Sequence, residues 1–458
     1  MALTAHRPSS ARDMTQGPIT RQLLAFALPL MLGNVFQMLY NTVDSVIVGN
    51  FVSKQALAAI GSTTVIVNML VFFFNGFSIG AAVVIGRYFG AKHMEKLHAA
   101  VETTMAATFI LSLLFTLLGL GLVKPMLRIM RTPEDVFSEA ALYLSIYFGG
   151  ISGLLIYNMG SGILRAVGDS TRPLYFLILT SLLNIVLDLV FVVLLKTGIA
   201  GAAIATIISQ FLSAALILML LTRTKDIYRL SWRELQLDLP ILGMIFAVGM
   251  PAAIQSVVTA FSNIFVQGYI NVFGSDVMAG WSTYNKLDQF IMLPMQSMAM
   301  AATTFVSQNI GAGNEKRSTK GTVAALGLSL GITGIIALLL YIFAPASVRL
   351  FSPDEAVIRY GVLFIRLNTF FMLFNCVNHV LAAALRGRGD SRGPMVIMLL
   401  TFVALRQVYL YWVTHYVANT PALVGFGYPV GWMACCVLEL AYAWAKRRRA
   451  APLPLVKD

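Results

Sequence analysis

Three side chains in this sequence could handle an ion, and each sits inside a long apolar run: Asp44, Asn184 and Asp188. An acid in poorly hydrated surroundings takes up a proton more readily than it does in water. It can equally hold Na+, together with amide, carbonyl and hydroxyl oxygens. Asp44 has companions in its own run. Gln37, Tyr40 and Asn41 are spaced with it by threes and fours, which makes one stripe of a helix. Asn184 and Asp188 are four apart and face the same way. Tyr143, Asn158 and Thr206 add polar groups on other runs; taken singly, ordinary hydrogen bonding between helices accounts for them. Pro29 lies in the run that carries Asp44, where a proline removes a backbone hydrogen bond and permits a bend.

The elements that must position these groups are membrane helices. The chain has 458 residues, of which 58% are hydrophobic and 12% charged, with mean hydropathy +0.78. That leaves too few polar residues to clothe a water-facing surface, whereas lipid solvates an apolar one. Apolar runs of spanning length give twelve segments: 22–48, 57–86, 98–122, 138–164, 173–195, 198–221, 239–270, 279–309, 321–344, 357–385, 394–416 and 422–444. The fifth and sixth are joined by Lys196, Thr197 and Gly198 alone, so they form a tight helical hairpin.

The net charge of +13 is distributed by loop. Alternate loops and both tails hold about 23 of the 33 Lys and Arg, and the opposite loops about seven. The basic side faces the cytoplasm by the positive-inside rule, which places both termini there and the protein in the cell's inner membrane. The expected parts are a tail over 1–20, a first lobe over 21–222, a cytoplasmic linker over 223–238, a second lobe over 239–445 and a basic tail over 446–458. Cys376, Cys435 and Cys436 show no disulfide or metal-ligand spacing. No phosphate-cradling glycine pattern, HExxH or GxSxG motif is present, so no enzyme is expected, no cofactor is implied, and work must come from an ion gradient.

The two lobes are copies. ILRAVGDSTRPL at 163–174 recurs as ALRGRGDSRGPM at 384–395. Arg165, Gly168, Asp169, Ser170 and Pro173 match Arg386, Gly389, Asp390, Ser391 and Pro394 at a shift of 221, as do Gly90–Ala91 with Gly311–Ala312. Pro29 and Asn41 match Pro251 and Asn263 one residue further on. Six spans per copy make the repeats parallel, and such pairs build two lobes around a central cleft that opens to alternate sides. The Gly-Asp-Ser loops read as turns that pack or hinge the cytoplasmic ends. Where the copies differ is informative. Asp44 aligns with Val266, Asn184 with Leu405, Asp188 with Tyr409, Asn158 with His379 and Thr206 with Gly427. Acids that only braced the fold would be needed twice. The second lobe carries its own polar set, including Lys286, Asp288, Arg366, His379 and Arg406, with Lys286 and Asp288 a candidate pair at the membrane interface.

The stretch FALPLMLGNVFQMLYNTVDSVIVG at 26–49, its partner VGMPAAIQSVVTAFSN at 248–263, and the paired loops resemble the multidrug and toxic compound extrusion (MATE) family over about residues 17–445. Asp44 with Asn184-x-x-x-Asp188 looks most like its DNA-damage-inducible, DinF-like branch. The resemblance implies an all-α integral membrane protein of twelve helices in two six-helix lobes. It implies a secondary antiporter that exports amphipathic, often cationic, organic compounds in exchange for H+ or Na+, functional as a monomer and without nucleic acid. Asp44 carries over as the coupling acid and Pro29 as the bend of the first helix. Asn184, Asp188 and Thr206 carry over as the rest of the ion-binding network, with Na+ the metal ion those four could hold. Tyr143, Asn158, Gln37, Tyr40 and Asn41 carry over as hydrogen-bonding and cavity residues. A flippase for lipid-linked saccharides is the alternative, kept open by Arg366 and Arg406; a scaffold or regulator that transports nothing is a further one.

Overall fold

The computed structural model describes residues 12–447, without the side chains of Lys54, Leu57, Val65 and Arg447; the outer parts of both tails, 1–11 and 448–458, lie outside the described residues. The described chain is helical. In order the helices are α1 (Ile19–Phe51), α2 (Lys54–Gly90), α3 (Met94–Ile129), α4 (Glu134–Gly149), α5 (Ile151–Ala166), α6 (Thr171–Asp188), α7 (Gly198–Arg223), α8 (Leu239–Asn271) and α9 (Ser275–Gly311). There follow α10 (Glu315–Ile342), α11 (Ala344–Arg349), α12 (Glu355–Asn368), α13 (Met372–Gly387), α14 (Arg392–Met398), α15 (Arg406–Trp412), α16 (Pro421–Gly425) and α17 (Gly427–Arg447). Eleven helical runs among the described residues are long and apolar enough to cross a bilayer. The pair α4–α5, bent by 48° at Gly149–Gly150, makes a twelfth. The equivalent place in the second copy is a short 3-10 turn, Thr369–Phe371, between α12 and α13. Most helices outrun the apolar segments by about a turn, because polar end residues stay helical at the membrane interface.

The chain divides into two units: Met1–Asp13 with Leu28–Gly249, and Met14–Ala27 with Met250–Asp458. Both cuts inside helices fall just before a proline, Pro29 in α1 and Pro251 in α8. In the first unit, α5 packs on α2, α3 and α7, and α6 packs on α7. The early part of α8 joins this unit through glycine. A Cβ on Gly80 would meet the Ile245 carbonyl at 2.3 Å, so the two backbones touch. In the second unit α9 packs on α10, α12 and α13. The chain's early residues join it through polar grips. Met14, fully buried, donates its N–H to Gln308 Oε1 (2.9 Å), while Arg317 donates to Gly17 O (2.7 Å), Met14 O (3.3 Å) and Gln22 Oε1 (3.0 Å).

The repeated loops have one geometry. Gly168 and Gly389 adopt φ +87° and +83°, and the next N–H turns back onto the last helical turn: Asp169 N to Leu164 O and Asp390 N to Leu385 O, each 2.9 Å. That is a Schellman cap, which needs a left-handed residue at its corner. The loop acids then cap the helix that follows. Asp169 Oδ1 accepts from the N–H of Thr171 and Arg172, and Asp390 Oδ1 from Gly393. Gly90–Ala91–Lys92 and Gly311–Ala312–Gly313 form a second matched pair, with φ +56° at Lys92 and +71° at Gly313.

Candidate ion-coupling site

Asp44 lies on α1 and Asp188 on the last turn of α6, and both belong to the first unit. The two carboxyl groups lie near enough for each to feel the other's charge. Asn184 is one turn before Asp188. Asp188 is fully buried and Asn184 nearly so. Their polar atoms are left over. Both oxygens of Asp188, both amide atoms of Asn184 and Oδ1 of Asp44 are out of solvent and lack a hydrogen-bond partner among the described residues. Buried polar groups are nearly always paired, and one left unpaired costs about 1–3 kcal/mol. Five such atoms lie on these three side chains.

Local chain chemistry puts Asp188 where it is. The α-helix ends at that residue and the chain continues as a π-helix, Leu189–Leu194. Wider π turns inside helices recur at functional sites. Tyrosines close the surroundings: Tyr40, Tyr143 and Tyr147 are neighbours of one another, and Asp44 and Asp188 both act on Tyr143. The Tyr143 and Tyr147 rings stack at 6.3 Å, with Gln210 near Tyr147 and Gln37 near Tyr40. Gln210 is a member of this cluster that sequence reasoning missed; it lies four residues after Thr206, one turn along the same face of α7.

The remaining residues singled out from sequence are placed differently. Thr206 donates to the Ala202 carbonyl of its own helix (3.0 Å). Asn158 donates to Leu154 O (2.9 Å), and its own carbonyl accepts from Ser78, whose hydroxyl accepts from Arg165 at 3.2 Å. That chain of bonds braces α5 against α2. Asn41 and Gln37 are exposed on α1. Pro29 sits within α1, which runs unbroken from Ile19 to Phe51.

In the second unit Lys286 and Asp288 do not pair. Two residues apart on a helix, they point to different sides. Tyr284 donates to Asp288 Oδ1 at 3.5 Å, and the Lys286 ammonium lies 5.7 Å from the Phe351 ring. Arg406 is buried, donates to Asn263 Oδ1 (3.0 Å) and stacks on Tyr428, while Arg366 lies over Tyr341. Sequence reasoning also passed over Glu439 of α17. It is fully buried beside the charge of Arg386, and among the described residues neither of its oxygens has a hydrogen-bond partner.

Known proteins resemble this chain over most of its length. The chain is 28% identical over 457 residues to the probable multidrug resistance protein YoeA of Bacillus subtilis, covering 97% of this chain and 98% of the relative. It is 31% identical to the probable multidrug resistance protein YpnP of the same organism, covering 87% and 89%. A solved MOP superfamily transporter from Pyrococcus furiosus shares the fold at TM-score 0.90 and 22% identity, over 96% of this chain and 98% of that one. The MatE family model matches residues 29–190 and again 251–412, in the register of the internal repeat. With two copies of that unit making up most of its length, the chain belongs to the MatE family of multi-pass membrane transporters, the multidrug and toxic compound extrusion proteins.

Proposed function

We propose that this transporter exports amphipathic, often cationic, organic compounds in exchange for H+ or Na+ by alternating access, and that Asp44, Asn184 and Asp188 are its coupling site. The five unpartnered polar atoms of those three residues carry the reading. A proton shared between Asp44 and Asp188 relieves the repulsion of two buried carboxylates. Na+ at the same place would draw on Asp44, Asn184 and Asp188, with Thr206 as the hydroxyl donor. In either case loading changes the charge beside α1, and Pro29 gives that helix a place to respond. Gln37, Tyr40, Asn41 and Tyr143 belong to the surrounding polar wall. Asn158 supports it through the brace on α2. The names of the Bacillus relatives, both probable multidrug resistance proteins, favour this substrate class.

The asymmetry of the two copies favours the DinF-like branch, with ion coupling in the first lobe. Both termini then face the cytoplasm, the protein sits in the inner membrane, and one chain, holding both lobes, works alone. The test is dye efflux from vesicles with a pH or a Na+ gradient imposed separately. Wild-type protein responds to at least one gradient. Asp44→Asn, inserted at wild-type levels, responds to neither. Normal efflux by that variant excludes Asp44 as the coupling acid.

A further inference from the structure

A second cluster of ionisable groups lies away from the coupling acids, where the chain between α7 and α8 folds back on α3. This connector is packed in place. Tyr228 and Leu230 are buried, Trp232 stacks on Phe109, and the Asp238 N–H donates to Thr103 Oγ1 at 3.1 Å. The packing brings Glu234 beside His98 and Glu102, which are one turn apart on α3. His98 Nε2 is 2.9 Å from Glu102 Oε1 and 3.0 Å from Glu234 Oε2. One ligand atom from each of the three residues lies within 4.8 Å of the others.

The count of donors against acceptors is the informative point. Nε2 carries at most one hydrogen, yet two carboxylates converge on it. The bond to Glu234 has good geometry, and Glu102 is left over. Glu102 is 1% exposed, and neither of its oxygens accepts a well-formed hydrogen bond. A buried carboxylate aimed at a second carboxylate and an imidazole is poorly served by one proton. A divalent cation in the proton's place satisfies all three ligands and cancels both negative charges.

We propose that His98, Glu102 and Glu234 form a site for a divalent transition metal of the Zn2+ type, which clips the connector to α3. The donor set decides the class. One imidazole nitrogen with two carboxylate oxygens matches Zn2+ chemistry, while Ca2+ and Mg2+ require an all-oxygen shell of six or more. His98 and Glu234 are partly open, with side chains 32% and 65% exposed, so water completes the fourth position. The site stands apart from Asp44 and Asp188 and does not depend on the transport reading.

The experiment uses the full-length protein in detergent, stripped with a chelator and then titrated with ZnCl2, CoCl2 or CaCl2. We expect one equivalent of Zn2+ to bind and to raise Tm, and Co2+ to give the visible absorption of a four-coordinate site. Second-sphere changes at metal sites cost about 10–100-fold in affinity, so loss of a ligand in His98→Gln or Glu102→Gln should cost more than about 100-fold. X-ray absorption on the wild-type Zn2+ form should report one imidazole and only oxygen otherwise, a readout that no variant's folding affects. Absence of stoichiometric Zn2+ binding, unchanged affinity in His98→Gln, or equal affinity for Ca2+ would each overturn the proposal.

Discussion

Asn184 separates a coupling role from a bracing one. Its two buried polar atoms find no partner among the described residues, so as a structural residue it costs stability. Asn184→Leu should therefore leave Tm unchanged or raise it while lowering efflux; a drop in Tm with efflux retained would make Asn184 a brace. Differential scanning fluorimetry beside vesicle efflux reads both. Asp44, Asn184 and Asp188 were legible because they are polar exceptions in apolar runs that the second copy lacks. Glu439 satisfies the same criterion, standing where the first copy has Leu218, and could have been found that way. The His98 cluster could not. Glu234 is remote in sequence from α3, and only the folded connector brings it there. The partners of Thr206 and Asn158 were also hidden, since a polar side chain in a helix chooses between its own backbone and a neighbour, and spacing does not reveal which.

At the scale of elements, the capped loops give a graded test of backbone cost. Gly313 has φ +71° with open space where a Cβ would go, so Gly313→Ala should lose only the left-handed penalty of about 1–2 kcal/mol. Gly168 has the same handedness, but its Cβ would meet the Arg12 carbonyl at 2.3 Å, so Gly168→Ala should cost more. Lys92, a non-glycine at the position matching Gly313, reverses the sign: Lys92→Gly should stabilise by up to about 1 kcal/mol. Denaturation midpoints of the three variants check the order. The twelve runs and the repeat were readable from hydropathy and from the constant shift. The break in the fourth span was not, because Gly149–Gly150 lies in a continuous apolar stretch. The π-helix after Asp188 leaves no mark in composition either.

For the whole molecule, the distribution of Lys and Arg predicts which ends face inward. A fluorescent protein fused after residue 458 should fluoresce, as it does only when it folds in the cytoplasm, and alkaline phosphatase inserted near 132 should be active; the converse pattern would reverse the orientation. The two-unit division has a consequence for how the protein is made. Residues 14–27 leave the ribosome long before Met250, yet they pack with the unit that begins there. The nascent chain must keep its first turns uncommitted until the later helices arrive. A gene split in the connector between α7 and α8 would give a late fragment deprived of Met14, Leu23 and Phe26, all of them fully buried in the intact chain. Co-expression of the early fragment, not added lipid, is what should rescue it.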